Sequence, residues 1–214
     1  MKELVAQNLQ SKASQTTAKG LGRAEEILVH ARQLLVRQGS AGLSLRALAQ
    51  SVGMSLSNLQ HYFPGREALL QSLVRVTLVR YQQGVDAQLR AHAQHGAERQ
   101  LDAVLEYLLR DLDDATSRGF LLALWDMAER EQFAAALHSE FQRRAIGVIA
   151  AVLRDVGPAR SEALRRRVAV QMLACIQGMA TAAHNSALRR ARARRDLHEL
   201  LMAVALGHAW GVMA

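Results

Sequence analysis

The stretch Leu43–Leu70, LSLRALAQSVGMSLSNLQHYFPGREALL, decides the fold. Leu45, Leu48, Ala49 and Val52 recur at i, i+3, i+4 and i+7, the spacing of one buried helical face. Ser44 precedes them and is suited to accept a hydrogen bond from the unpaired first N–H groups of that helix. Gly53 stops the helix, because glycine takes a left-handed conformation at little steric cost. Ser55 opens a second helix, on which Leu59 and Phe63 turn inward, and Pro64-Gly65 ends it. Its outward residues are Leu56, Ser57, Asn58, Gln60, His61 and Tyr62, with no acid among them. A helix docked in a major groove needs such a face, since a carboxylate there would meet phosphates. The motif is read as a helix-turn-helix.

The same residues carry a family resemblance. The pattern S-L-R-A-L-A-x-x-V-G-M-S-x-S-N-L-x-H-Y-F-P-x-R-E-A-L-L, within residues 23–72, resembles the DNA-binding domain of the tetracycline-repressor (TetR) family of bacterial transcription regulators. The resemblance implies an all-helical homodimer whose larger C-terminal domain binds a small molecule and thereby releases DNA. Two positions depart from the family's pattern. Gln60 stands where the family often has a phosphate-contacting tyrosine, and Gly65 where a Ser or Asn usually caps the fourth helix. Glycine is itself an acceptable N-cap.

Composition agrees with an all-α chain. Its 214 residues hold only two prolines, Pro64 and Pro158, and β-branched and aromatic residues are scarce. The formal charge of +8 and a pI near 10.7 suit a polyanionic partner. From Arg23 to Arg80 seven arginines stand against three glutamates, so half of that excess lies in about a quarter of the length. Cys175 is the only cysteine, which rules out an intrachain disulfide and a cysteine-based metal cluster. Residues 1–20 lack the apolar core of a signal peptide, and no stretch has bilayer-spanning density. The expected location is the cytoplasm, with no membrane partner.

Along the chain, residues 1–22 read as a polar, flexible tail, 23–72 as the DNA-binding domain and 73–214 as an effector-binding and dimerisation domain. Helix one is expected from Ala24 to Gln38, closed by Gly39, with Ile27, Leu28, Ala31, Leu34 and Leu35 as its stripe. A long helix follows from Arg66 to about Arg90, bent at Gly84. Residues 91–96, AHAQHG, form a loop whose His92 and His95 lack a third ligand for a metal. The run Asp111-Leu112-Asp113-Asp114 lacks the glycine and following ligands of a calcium loop. Further helices are expected at 101–112, 120–131, 133–156, 161–188 and 196–212, with the arginine-rich 189–195 as a solvated loop. The last two helices are apolar over much of their circumference and so need cover on two faces, which a twofold mate supplies.

For DNA, Ser44, Arg46, Tyr62 and Arg66 are assigned to phosphates, with Arg46 also suited to a guanine. Ser55, Leu56, Ser57, Asn58 and His61 are assigned to base edges, and Gln60 to either. On this reading Arg66→Ala weakens binding to every sequence and flattens its salt dependence. The partner is a palindromic double-stranded operator bound by a homodimer. Phe120, Trp125, Met127, Met172, Cys175, Gln177, Met179, His184 and Asn185 are the candidates for lining a small-molecule effector pocket. No metal or cofactor is called for. No catalytic motif occurs, and Cys175, in an apolar run without a base, reads as a core thiol rather than a nucleophile. The rival to a repressor is a dimer of the same type serving as a partner-binding module or an activator.

Overall fold

A computed structural model of the chain describes residues 18–157, 161–182 and 187–208. Among these the regular structure is entirely helical: α1 Ala18–Gly42, α2 Leu45–Ser51, α3 Leu56–Tyr62, α4 Arg66–Ala91, α5 Ala97–Asp111, α6 Ala115–Ala128, α7 Gln132–Val152, a 3₁₀ turn Leu153–Asp155, α8 Glu162–Ala182 and α9 Ala187–Leu206. The polar segment up to residue 17 and the expected extension of the last helix past 208 lie outside the described residues.

The chain packs as two compact units. The first runs to Arg80 and takes in Leu122–Ser139; the second comprises Tyr81–Leu121 and the chain from Glu140 onward. In the first, α1 buries Ala24, Ile27, Leu28, Ala31 and Leu35, the stripe its spacing predicts, with Leu34 half-buried. The helix starts earlier than expected and its regular path breaks at Gly39, whose φ of 70° and ψ of −169° terminate it where the sequence places the stop. Leu48, Ala49, Leu59, Phe63, Leu69 and Leu70 complete the core of this unit, and Leu124, Met127, Ala134 and Leu137 from the 122–139 segment are buried too.

In the second unit α9 packs on α5 and α8. Two features add to or differ from the sequence expectation. The helix α4 runs from Arg66 to Ala91 as expected, and Gly84 within it has a role the sequence does not announce: a Cβ there would collide with the ring of Tyr107 on α5. The run Arg189–Arg195 is helical, not a loop. Its Arg194 is only 17% exposed and reaches acids on and beside α5, with Nη1 2.5 Å from Glu106 Oε1 and Nε 3.3 Å from Asp113 Oδ2, the latter an ion-pair distance without hydrogen-bond alignment. One turn on, His198 Nε2 lies 3.1 Å from Asp102 Oδ1. A long helix rich in arginine is thus held to its neighbour by a ladder of polar contacts, an ion pair at Arg194 and an imidazole contact at His198, whose members lie some ninety positions apart in sequence.

The acidic run also finds structural work. Asp111 accepts a 2.6 Å hydrogen bond from the Tyr81 hydroxyl, Asp113 faces Arg194, and Asp114 caps α6 by accepting from the Ser117 N–H at 2.7 Å. Arg118 donates back to the Leu112 carbonyl at 2.6 Å, satisfying an otherwise unpaired end group of α5. Among the described residues no group of three or more His, Cys, Asp or Glu is placed to hold a metal.

The ladder carries a pH-dependent prediction. Burial pushes the Glu106 carboxyl up, but hydrogen bonds and charges from Arg110 and Arg194 outweigh it and hold the group below its ordinary value of 4.5. A carboxyl depressed by folding stabilises the fold above its unfolded value, and that contribution is lost as the pH falls through the folded value. Arg194→Ala is therefore expected to cost about 1–2 kcal/mol at pH 7, between an exposed and a buried pair. The gap between variant and wild type narrows as the pH drops below the ordinary carboxyl range. Urea denaturation at pH 7 and near pH 3 checks it, and a gap of equal size at both would remove Glu106 from the explanation.

Candidate nucleic-acid interface

The two short helices of the opening stretch are fixed by their ends. Ser44 lies in the extended region at φ −114° and ψ 151°, and its hydroxyl accepts from the Ala47 N–H at 3.1 Å. Ser55 does the same for α3, accepting from the Asn58 N–H at 3.2 Å. Each helix has only seven residues, too few to persist in water alone, so caps and packing must supply its stability. Between them Gly53 turns the chain at φ +66°, a left-handed value that any other residue would strain to reach.

This scaffold sorts the side chains cleanly. Leu48 and Leu59 are fully buried and Ala49 and Phe63 nearly so. On the other side Ser44, Arg46, Ser55, Ser57, Asn58, Gln60 and His61 are exposed, and Leu56 and Tyr62 are half-exposed. Ser55 and Ser57 lie with their hydroxyl oxygens 3.1 Å apart. No carboxylate occurs from Leu43 to Gly65. The result is a hydrogen-bonding, acid-free helical strip over an apolar bed, and a single helix is what a major groove admits.

Arg66 stands apart from the strip. Its Nε donates to the Leu43 carbonyl at 3.2 Å, and its two terminal nitrogens grip Glu131 at 2.5 and 3.0 Å. Its Nη2 also lies 3.5 Å from the Ser40 carbonyl and from the Met127 sulfur. The hydrogen bond from Arg66, against the opposing effect of burial, holds the Glu131 carboxyl below the usual range. The guanidinium expected at a phosphate is therefore already paired, at a half-buried position, with an acid 65 positions away that no local pattern announces. Sequence reasoning also misses Arg23, whose Nη2 donates to the Val52 carbonyl at 2.9 Å and closes the C-terminal end of α2. Its acid neighbour Glu26 pairs with it at i+3, which is the only signal the sequence offers.

The residues named for an effector pocket fall in both units. Trp125 and Met127 belong to the first; Phe120, Met172, Cys175, Gln177 and Met179 belong to the second. Phe120, Met127 and Met172 are fully buried and Met179 nearly so, whereas Trp125 is 49% exposed. His184 and Asn185 lie outside the described residues. Cys175 is exposed rather than in the core, because it shares an outward face of α8 with Val170, Ala174 and Gly178 while Met172, Ile176 and Met179 take the inward one.

Residues 27–73 match the model of the bacterial regulatory proteins of the tetR family. Over 144 residues the chain is 32% identical to an uncharacterized HTH-type transcriptional regulator in the dhlA 5′ region of Xanthobacter autotrophicus, an alignment covering 66% of this chain and 65% of that protein. The chain thus spans just under two thirds of the length of that relative. A transcriptional regulator from Rhodococcus sp. Rha1 superposes with a TM-score of 0.72 at 20% identity, over 86% of this chain and 96% of that one. A TetR transcription regulator from Haloarcula marismortui gives 0.69 at 19%, over 85% and 97%. A regulator from Saccharomonospora viridis solved in complex with choline gives 0.67 at 17%, over 84% and 95%. The solved structures share the fold, while the family match lies on the helix-turn-helix itself. With that motif built as described and its residues matched, residues 27–73 form a DNA-binding domain of the tetR family of bacterial regulatory proteins.

Proposed function

We propose that this regulator binds a palindromic operator as a homodimer and is released from it by a small-molecule effector, acting as a repressor. The observation that carries the reading is the acid-free exposed face of α3 over the buried Leu59 and Phe63. Ser55, Leu56, Ser57, Asn58 and His61 read base edges, Leu56 against a thymine methyl. Ser44, Arg46 and Tyr62 hold phosphates, and Gln60 serves either purpose.

Pairing of two subunits is supported by the apolar groups left outward on the last two helices. Val170 on α8 is 49% exposed and Leu200 on α9 is 50% exposed, a combination that a twofold mate covers. Two reading helices then face half-sites about one turn, roughly 34–36 Å, apart or a multiple of it. The effector works by binding the DNA-incompetent state more tightly. That a protein of this fold holds choline agrees with such a role; at 17% identity the likeness is one of fold.

Selection of bound duplexes from a random pool is the test, with an inverted repeat as the expected product. Recovery of sequences without twofold symmetry would overturn the dimer-on-palindrome reading. On the selected site, Asn58→Ala is expected to cost about 1–3 kcal/mol of discrimination at one base pair per half-site while leaving the salt dependence unchanged. Arg46→Ala is expected to weaken binding to all duplexes and to lower the salt slope by about 0.9 for each phosphate no longer neutralised. Titrations at several salt concentrations on matched and mismatched duplexes separate the two.

A further inference from the structure

The helix-turn-helix has two ends, Leu43 where the chain enters it and Arg66 where the chain leaves, and one side chain joins them. Arg66 Nε donates to the Leu43 carbonyl at 3.2 Å, one residue before the Ser44 cap of α2. Its remaining nitrogens are taken up by both oxygens of Glu131 and by the Ser40 carbonyl. A guanidinium has five N–H groups in a fixed fork, and here only one, on Nη1, is left over. Its charge is met by a bidentate carboxylate, the strongest partner available to it. A second tether lies beside the first: the Ser40 hydroxyl reaches Asp126 Oδ2 at 3.3 Å. Both acids come from the 122–139 segment, which belongs to the same compact unit as α1, α2 and α3.

We propose that Arg66 is a positioning residue and not a phosphate ligand: it clamps the two ends of the helix-turn-helix together, and Glu131 holds its guanidinium in the orientation that makes the clamp. This rests on the DNA-binding reading given above. An arginine at the start of α4, after a turn beside the reading helix, stands where a phosphate ligand is expected; the bonds it makes point it inward instead. Glu131 then contributes to DNA affinity although it carries the same sign of charge as DNA.

That last consequence gives the test its sign. Were Arg66 a phosphate ligand restrained by Glu131, Glu131→Gln would free it and remove a repelling charge, so DNA would bind more tightly. With Arg66 as a clamp, Glu131→Gln loosens the motif and weakens binding by about tenfold, the equivalent of one hydrogen bond to a charged group. Arg66→Ala and Arg66→Lys weaken it at least as much, with the salt slope kept at the wild-type value. Lysine retains the charge that a phosphate needs but cannot reproduce the fork. The readout is fluorescence anisotropy of the full chain on the duplex that the wild type selects, at four salt concentrations. Tighter binding by Glu131→Gln, full affinity in Arg66→Lys, or a salt slope lowered in Arg66→Ala by about 0.9 per phosphate each overturns the proposal. Hydrogen exchange of the free protein decides it without DNA. Faster exchange at the Ala47 and Leu48 amides, both bonded to Ser44, is expected in Glu131→Gln at unchanged global stability. Unchanged exchange there discards the clamp. If the wild type selects no inverted repeat, the operator reading fails by itself, and the exchange result still settles the role of Arg66.

Discussion

Leu59→Ala is expected to remove about 2–5 kcal/mol of stability and, with it, recognition of DNA. Leu59 is fully buried and sits midway along a helix of seven residues whose neighbours Asn58 and Gln60 face outward. A helix so short is held in place by its cap and by what it buries, so truncating that one side chain leaves a cavity under the reading surface. A loss of this size is a large part of the about 5–15 kcal/mol that holds an ordinary domain together. Affinity for the selected duplex is expected to drop by more than about tenfold even where the chain remains folded, since base contacts tolerate little displacement. Gln60→Ala, one position away on the exposed side, should change stability by no more than about 0.5 kcal/mol. Urea denaturation of both variants, followed by DNA titration, makes the comparison, and equal stabilities would mean that α3 is not seated on Leu59.

The second large effect is expected at Gly157. Its φ is +61°, and a Cβ built there would run into the Ala205 carbonyl oxygen and stand 3.1 Å from the Leu206 Cα. Two costs coincide. A left-handed conformation is unfavourable for alanine by about 1–2 kcal/mol, and overpacking against a backbone that cannot rotate aside adds about 1–3 kcal/mol. Gly157→Ala is therefore expected to lower stability by about 2–5 kcal/mol, with the strain falling on the end of α9. Because α9 carries the outward Leu200 of the proposed subunit contact, the variant should also dissociate at higher protein concentration in sedimentation equilibrium. Calorimetry provides the first measurement, and an unshifted melting temperature would show that α9 moves aside at no cost.

The ease with which parts of the fold are legible in the sequence follows the distance between interacting residues. Ser44, Gly53, Ser55 and the apolar residues between them act within a turn or two, so caps, stop and buried face are written side by side, and the structure places them as read except for Leu45, which is only half-buried. Gly157 is half legible: the sequence reads it as the stop of a helix running to 156, but that helix ends at Val152 and passes into the 3₁₀ turn Leu153–Asp155, and the carbonyl pressed against Gly157 comes from Ala205. The run Arg189–Arg195 reads as solvated because five arginines crowd together with only Asp196 and Glu199 close behind, yet Arg194 finds Glu106 from 88 positions away. Arg66 is the same case, since Glu131 and the segment that carries it are brought to the helix-turn-helix by packing alone. Cys175 sits in an apolar run, but an apolar run on a helix has two sides, and hydropathy does not say which one is covered.

The ring of Tyr107 occupies the space where Gly84 lacks a side chain, and three residues earlier on α4 the Tyr81 hydroxyl is tied to Asp111 at the far end of α5. A tooth in a notch, with a bolt one turn away, forbids α4 from rolling about its own axis or slipping lengthwise past α5. Whatever displaces this stretch of α4 must carry α5 with it, so the pair behaves as a single stiff lever rather than as two sliding rods.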